Sequence, residues 1–176
     1  MKILCLIFVF LLFISNSIFA QSPVETNPET WKTAQDVLLF EKLFQERVAA
    51  FEENPMHEVH YTKERTTFFV NWIEKCPYMI IIDGRLLQPF MEDSENQVNR
   101  ILIRAYMGGK TVYFSQIKEN VDEHLANMAG MESIVRVYRA LKKKAPTVRN
   151  LYAEKILKYD EEKKLDEYIS EMEKIQ

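Results

Sequence analysis

The fold class is decided by the stretch DEHLANMAGMESIVRVYRALKKK at residues 122–144, the longest helical pattern in this 176-residue chain. Its apolar residues recur at steps of three and four, which places them on one face of an α-helix. Lysines fill the last turn, where cations complement the helix dipole, and Pro146 prevents the helix from continuing. We therefore expect a mainly α protein. The apolar positions are Leu125, Met128, Ala129, Ile134, Val135, Val137, Tyr138 and Leu141.

A second long helix is predicted immediately before this segment. Ser94 and Gln97 have the three-residue spacing of a capping box, which marks a helix start. The glycine pair at 108–109 then allows two interpretations: the helix ends there and residues 111–114 form a strand, or it continues to about Glu119. Glycine inside a helix costs about 1 kcal/mol relative to alanine. We favour the continuing helix, with the glycines admitting a second helix at close range.

Four further helices are predicted on either side of this pair, each from apolar residues at helical spacing and a start or stop signal. They are a helix opened by Pro28 that ends before Asn54, one from Thr62 to about Lys75, one capped by Thr147, and one over residues 160–175. Together with the central pair they predict a compact bundle of about five to six helices.

One short β-hairpin is expected after Pro77. Residues 78–82, YMIII, are aromatic and β-branched, as is typical of a buried strand. Asp83-Gly84 follows as a tight-turn signal, so residues 85–88 are the predicted partner strand. A lone hairpin is marginally stable in water, and we expect this one to lie on the helices.

The first twenty residues have the organisation of a cleavable signal peptide. Lys2 precedes an unbroken apolar run at 3–14, and small residues then allow cleavage after Ala20 or after Ser17. Twelve apolar residues are too few to span a membrane, which takes about 20 in a helix. The predicted organisation is a signal peptide at 1–20, a flexible leader at 21–28 and a single helical domain at 29–176.

Composition favours a bacterial envelope or extracellular setting. The formal net charge is −3 and becomes −4 without residues 1–20, whose single charged residue is Lys2. A mildly acidic protein is not expected to bind nucleic acid, which attracts basic surfaces. Without Cys5 the chain keeps only Cys76, and it has no Asn-x-Ser/Thr acceptor, whereas small eukaryotic secreted domains usually carry several disulfides. We expect a secreted or periplasmic bacterial protein.

The strongest metal-site candidate is a pair of histidines, His57 and His60, followed by Glu64. On a helix these three would share one face, and imidazole with carboxylate is a zinc ligand set. The zinc-protease signature needs its histidines four residues apart, whereas these are three apart. The alternative function is therefore a metal-dependent hydrolase or metal-binding protein that uses this cluster.

Other reactive side chains lack a supporting motif. Cys76 has no local base and is expected to be a buried thiol. His124, at a charged helix start, is expected to lie on the surface. Residues 108–111, GGKT, end like a phosphate-binding loop, but Arg104 occupies the place of its first glycine. We therefore predict no catalytic residue, no cofactor-binding residue, no metal ligand and no cofactor.

A series of short motifs follows in order along residues 65 to 170. They are Phe68-Phe69, Trp72-Ile73, Cys76-Pro77, Tyr106-Met107-Gly108-Gly109-Lys110-Thr111 with Tyr113, and Asn127 with Ala129-Gly130-Met131-Glu132 and Tyr138. This order resembles that of a group of small exported bacterial helical proteins with no assigned activity. The resemblance implies a helix through the glycine pair and a short strand after Pro77, and it carries no catalytic residue to this chain.

The resulting hypothesis is a non-enzymatic binding or interaction module of the bacterial envelope. Its partner would be a protein or another envelope component, not nucleic acid, and the mature chain would not span the membrane. A homodimer is an alternative arrangement, in which the small-residue faces at 108–109 and 129–130 meet between subunits.

Overall fold

The computed structural model describes residues 28–56 and 63–175, and within them the chain is helical and contains no β-strand. The prediction of a mainly α protein is confirmed. These ranges hold eight α-helices, more than the five to six expected. A 3-10 turn at Pro28–Thr30 precedes α1 (Ala34–Leu38), α2 (Glu41–Glu53), α3 (Lys63–Lys75), α4 (Gly84–Met91), α5 (Gln97–Ile117), α6 (Glu123–Lys144), α7 (Leu151–Glu161) and α8 (Leu165–Lys174).

An antiparallel pair of long helices, α5 and α6, forms the centre of the fold. A Cβ atom placed on Gly109 of α5 would lie 2.5 Å from the Cβ of Ser133 and 2.6 Å from the carbonyl oxygen of Ala129 on α6. A Cβ on Gly130 of α6 would lie 2.6 Å from the ring of Tyr106. The glycines are therefore what lets the two helices approach this closely, since helix separation depends on the side chains at the contact.

The structure thus confirms that the helix continues through the glycine pair, and α5 ends at Ile117. The contact that requires glycine at these positions is made between two helices of one molecule. Gly109 and Gly130 face the neighbouring helix of the same molecule, so these faces do not supply the subunit contact on which the homodimer alternative was based.

Four of the remaining helices cover this pair. Helix α2 packs across both α5 and α6, α7 and α8 pack on α6, and α4 lies against α5 and α8. Their apolar faces close one main core. Its largest fully buried members include Tyr106, Tyr138, Phe90, Leu86, Leu87, Leu102, Met131 and Ile134.

An aromatic cluster forms a second core between the N-terminal helices. Trp72 of α3 stacks on Phe44 of α2 with ring centroids 4.1 Å apart. Its indole N–H donates to the backbone carbonyl of Val37 in α1 at 3.0 Å. The buried Trp72 therefore ties three helices together and satisfies its own polar group.

Several helix starts differ from the predicted ones. The single helix predicted from Pro28 is a 3-10 turn followed by α1 and α2. Helix α1 begins after Thr33, which forms a capping box with Asp36. Helix α5 is capped by Asn96, two residues after the predicted Ser94. Helix α7 is capped by Asn150 in place of the predicted Thr147. In each case a neighbouring side chain reaches the free N–H groups of the first turn, which is what selects a cap.

The predicted β-hairpin after Pro77 is not present in the structure. Residues 78–83 are neither helical nor paired as a strand, and the predicted second strand lies in α4. Asp83 acts as an N-cap, accepting a hydrogen bond from the backbone N–H of Arg85 at 3.0 Å. Gly84 does not have the positive φ that an Asp-Gly hairpin turn requires. The Asp-Gly pair therefore starts a helix.

Among the helices of the described residues, none is both long enough and apolar enough to cross a bilayer.

The glycine contacts predict that one of two alanine substitutions destabilises the protein and the other does not. Gly109→Ala places a methyl group within 2.6 Å of α6, and overpacking of this kind costs about 1–3 kcal/mol. Gly84→Ala is the matched control, because a Cβ there meets no atom within 4 Å. We expect urea unfolding to show a loss of stability only for Gly109→Ala. Equal stabilities of the two variants would contradict the close approach of α5 and α6.

Candidate functional site: a polar cleft at the end of the central helix pair

The candidate site is a cleft of about 690 Å³ among the described residues. It lies where the middle of α5 and the start of α6 meet the start of α4 and the end of α8. Eight of its eleven lining residues are polar or charged, and an aliphatic segment forms one wall. The lining residues are Ile81, Ile82, Asp83, Gly84, Arg85, Gln88, Lys110, Glu123, His124, Asn127 and Glu173.

The floor of the cleft holds a buried lysine. The side chain of Lys110 is only 1 % exposed, and its ammonium donates to Glu123 Oε2 at 2.9 Å and to Asn127 Oδ1 at 2.6 Å. Glu123 itself is 47 % exposed. Removing an ammonium from water is costly unless it is paired and hydrogen-bonded, and these two acceptors meet that requirement.

Asn127 is the centre of the polar network beneath the cleft. Its carbonyl oxygen also accepts from the hydroxyl of Tyr106 at 2.6 Å, and its amide donates to Glu173 Oε1 at 2.7 Å. Burial raises the pKa of Tyr106 well above its ordinary value, so its hydroxyl stays protonated and donates. The network joins α5, α6 and the end of α8.

His124 links the same network to α8 through two carboxylates. Its Nδ1 lies 2.8 Å from Glu173 Oε2, and its Nε2 lies 2.8 Å from Asp166 Oδ1. The hydrogen bond to Asp166, followed by that to Glu173, raises the pKa of His124 above its ordinary value of 6.5. The favoured state is an imidazolium that donates from both nitrogens.

Arg85 at the rim uses four of its five side-chain N–H donors on its neighbours. Its Nε and Nη2 donate to the two carboxylate oxygens of Asp83 at 2.9 and 2.7 Å. Its Nη1 donates to the backbone carbonyls of Glu173 and of Ile175. The ion pair with Arg85 lowers the pKa of Asp83, so both groups are charged. Arg85 therefore fastens the end of α8 to the start of α4.

A smaller cavity of about 320 Å³ lies between α2, α5 and α6. Glu52 there accepts from the Ser133 hydroxyl at 2.5 Å and from two guanidinium nitrogens of Arg136 at 2.6 and 2.9 Å. Ser133 is fully buried, and a nucleophile must be reachable by substrate. These contacts hold α2 on α6, and they give no sign of a reaction site.

The residues of the alternative metal site, His57 and His60 with the side chain of Glu64, lie outside the residues that the structure describes. The metal-dependent alternative therefore stays untested. Within the described ranges, no group of three His, Cys, Asp or Glu side chains is arranged to hold a metal ion.

Cys76 is half-buried against the aromatic cluster. Its thiol donates to the carbonyl oxygen of Ile73 at 3.2 Å, and burial raises its pKa. A thiol in this state is a poor nucleophile. The sequence predicted a buried thiol, whereas the structure buries Cys76 only in part.

The cleft contains residues that sequence reasoning missed or placed differently. His124 is not a plain surface residue, because it bridges two carboxylates of α8. Lys110 and Asn127 were not predicted as site residues. For Lys110 the sequence did contain a signal. Lys110 follows Tyr106 by one helical turn and therefore falls on the apolar stripe of α5. A charged side chain at such a position needs a buried partner.

Comparison of the chain with models of protein families, with curated proteins and with solved structures finds no match. The geometry of the cleft is therefore the basis for proposing a function.

The two ion pairs of His124 predict a pH-dependent stability. A raised pKa in the folded state means that the contribution of His124 is fully present below pH 6.5 and is lost as the pH rises through the raised value. We expect the difference in thermal midpoint between the wild type and His124→Gln to shrink from about pH 5.5 to about pH 9. His57 and His60 are the same in both proteins, so the difference isolates His124. A difference that is constant with pH would contradict the double ion pair.

Proposed function

We propose that this chain is an exported, non-enzymatic binding protein whose ligand site is the polar cleft. The observation that carries the proposal is the buried ammonium of Lys110. An ammonium has three donors, and among the described residues that of Lys110 meets two acceptors, Glu123 and Asn127. Lys110 lines the cleft although its side chain is only 1 % exposed, and we assign its third N–H to an acceptor on a bound molecule. Protein or another envelope component remains the proposed source of that molecule.

The state of the titratable groups supports binding over acid–base catalysis. A general base needs a free lone pair at the operating pH. Both nitrogens of His124 lie against carboxylates, and the raised pKa favours the form that has no lone pair. Tyr106 keeps its proton and donates it to Asn127. Such groups can fix the position of a ligand, but they are not poised to take a proton from it.

The proposed location is the bacterial periplasm or the outside of the cell. It is supported by the charged, apolar and small-residue regions at 1–20. We expect the chain expressed with its own N-terminus in a Gram-negative host to be recovered outside the cytoplasm, starting at Gln21 or at Ile18. Mass spectrometry of the purified protein measures this directly. Recovery of the chain from the cytoplasm with residues 1–17 still present would contradict export.

A substitution that fills the cleft tests the binding function. Gly84 lines the cleft, and a side chain there meets no atom within 4 Å of its Cβ. Gly84→Trp should therefore fill the cleft without disturbing the fold, and Gly84→Ala is the matched control. We expect ligand-observed NMR with a panel of small amides, amino acids, amines, sugars and carboxylates to find members that bind the wild type and Gly84→Ala but not Gly84→Trp.

Lys110→Met serves as a second variant in the same measurement. Methionine keeps the length of the side chain and removes the donors, while half-exposed Glu123 can return to water. A hydrogen bond to a charged group contributes about 1.5–3 kcal/mol, so binding should weaken by about tenfold or more. If no panel member distinguishes the wild type from Gly84→Trp, the cleft is not a site for small polar ligands.

A further inference from the structure

We propose that Glu41 is a positioning residue for the cleft, because its carboxylate contacts two chain segments that lead into the cleft lining. The first segment, residues 78–82, forms the aliphatic wall and leads to Asp83. The second, residues 118–122, is the loop between α5 and Glu123 at the start of α6. This inference rests on the proposed binding function, and Glu41 itself lies outside the cleft lining.

Glu41 begins α2, and each oxygen of its carboxylate meets a different segment. Its Oε2 accepts from the hydroxyl of Tyr78 at 2.5 Å, and its Oε1 lies 3.4 Å from the ammonium of Lys118. The side chain of Glu41 is only 17 % exposed, so solvent screens these contacts less than it would on an open surface. A hydrogen bond to an ionised acceptor is stronger than a neutral one, which makes the Tyr78 contact the firmer of the two.

The aliphatic wall is held at its two ends. Within the described residues, the backbone groups of 79–82 make no hydrogen bond to other backbone groups. At the far end Asp83 caps α4. At the near end Tyr78 packs near the ring of Trp72 and donates to Glu41. Burial, followed by this hydrogen bond, raises the pKa of Tyr78, so its hydroxyl keeps the proton that it donates.

The second segment starts with a strained residue. Lys118 has φ 66° and ψ −51°, and the N–H of Glu119 donates to the carbonyl oxygen of Ile117 at 2.8 Å. This is a γ-turn with positive φ, which is rare and strained for a residue other than glycine. Such a conformation persists where the surroundings fix it, and it clusters at ligand-binding and switch regions. The ion pair of Lys118 with Glu41 is one contact that holds the turn.

Loss of Glu41 would release both segments at once. A segment that is not held has to be ordered when a ligand binds, and that ordering lowers affinity. The floor of the cleft does not depend on Glu41 in this way, because Lys110 and Asn127 lie inside long helices and bind each other at 2.6 Å. We therefore expect the two segments to loosen while the floor keeps its arrangement.

Backbone relaxation NMR of the full chain, as the expression host processes it, tests this role. Glu41→Ala removes both contacts, and Glu46→Ala is the matched control, because Glu46 lies on the same helix and pairs with Lys42 of that helix at 3.8 Å. We expect the heteronuclear NOE of residues 79–82 and 119–122 to fall in Glu41→Ala and to keep its wild-type value in Glu46→Ala. Unchanged values in Glu41→Ala would show that Glu41 does not hold the segments.

A pair of substitutions at Lys118 tests the strained turn. Lys118→Ala and Lys118→Gly both lack the ion pair, and they differ by one Cβ. Glycine loses more conformational freedom on folding than alanine, but relief of the strain at φ 66° outweighs this loss. We expect urea unfolding to give Lys118→Gly an unfolding constant about fivefold smaller than that of Lys118→Ala. A glycine variant less stable than the alanine variant would contradict the strained turn.

Ligand affinity distinguishes a positioning residue from one that matters for stability alone. The probe is a member of the small-molecule panel that binds the wild type but not Gly84→Trp. We expect it to bind about fivefold more weakly to Glu41→Ala, because ordering the released segments costs binding free energy. Binding to Glu46→Ala should equal that of the wild type, and circular dichroism verifies that each variant is folded.

The outcomes separate this inference from the proposed function. If Glu41→Ala loosens both segments but binds the probe as the wild type does, the positioning role is wrong and the binding function stands. If both segments loosen and no panel member distinguishes the wild type from Gly84→Trp, the small-ligand function is wrong, whereas the hold of Glu41 on the cleft walls is confirmed.

Discussion

The close approach of α5 and α6 is the constraint on which the rest of this structure depends. Gly109 faces Ala129 and Ser133, and Gly130 faces Tyr106, with no room for a Cβ at either glycine. Each glycine is unfavourable within its own helix, and the packing of two long apolar faces offsets that cost. Because the pair is antiparallel and joined by a short loop, α2, α4, α7 and α8 have one continuous surface to cover.

The polar network is a consequence of the same contact. Where α5 passes the start of α6, the side chains of Tyr106 and Lys110 point at α6 and are buried by it. Both donate to one residue, Asn127. Its loss would leave the buried hydroxyl of Tyr106 without an acceptor and Lys110 with Glu123 alone. The end of α8 then completes the network through Glu173. A charged residue at this depth is retained at a cost in desolvation, which is why we connect it with binding.

Helical content and the central pair could be predicted from the sequence, because periodicity over twenty or more residues outweighs any local ambiguity. Local signals were less informative where two chemical roles compete. The pair Asp83-Gly84 is typical of a tight turn, but an aspartate is also a common helix N-cap. The helix forms here because Leu86, Leu87 and Phe90 are buried at helical spacing. The segment 78–82 has strong strand propensity, but a strand needs a partner and the described residues supply none.

The sequence left open whether a helix passes through the glycine pair, and the contact of α5 with α6 decided it. By itself the sequence determined that the protein is mainly α and that Cys76 has no local base. These properties depend on neighbours in the chain, within a turn or two of helix. Only the tertiary structure decided where the cleft lies and what it contains. Lys110, Glu123 and Glu173 come from three different helices, and His124 meets Asp166 across 42 residues of sequence. Such contacts follow from how helices pack, and no spacing within one segment encodes them.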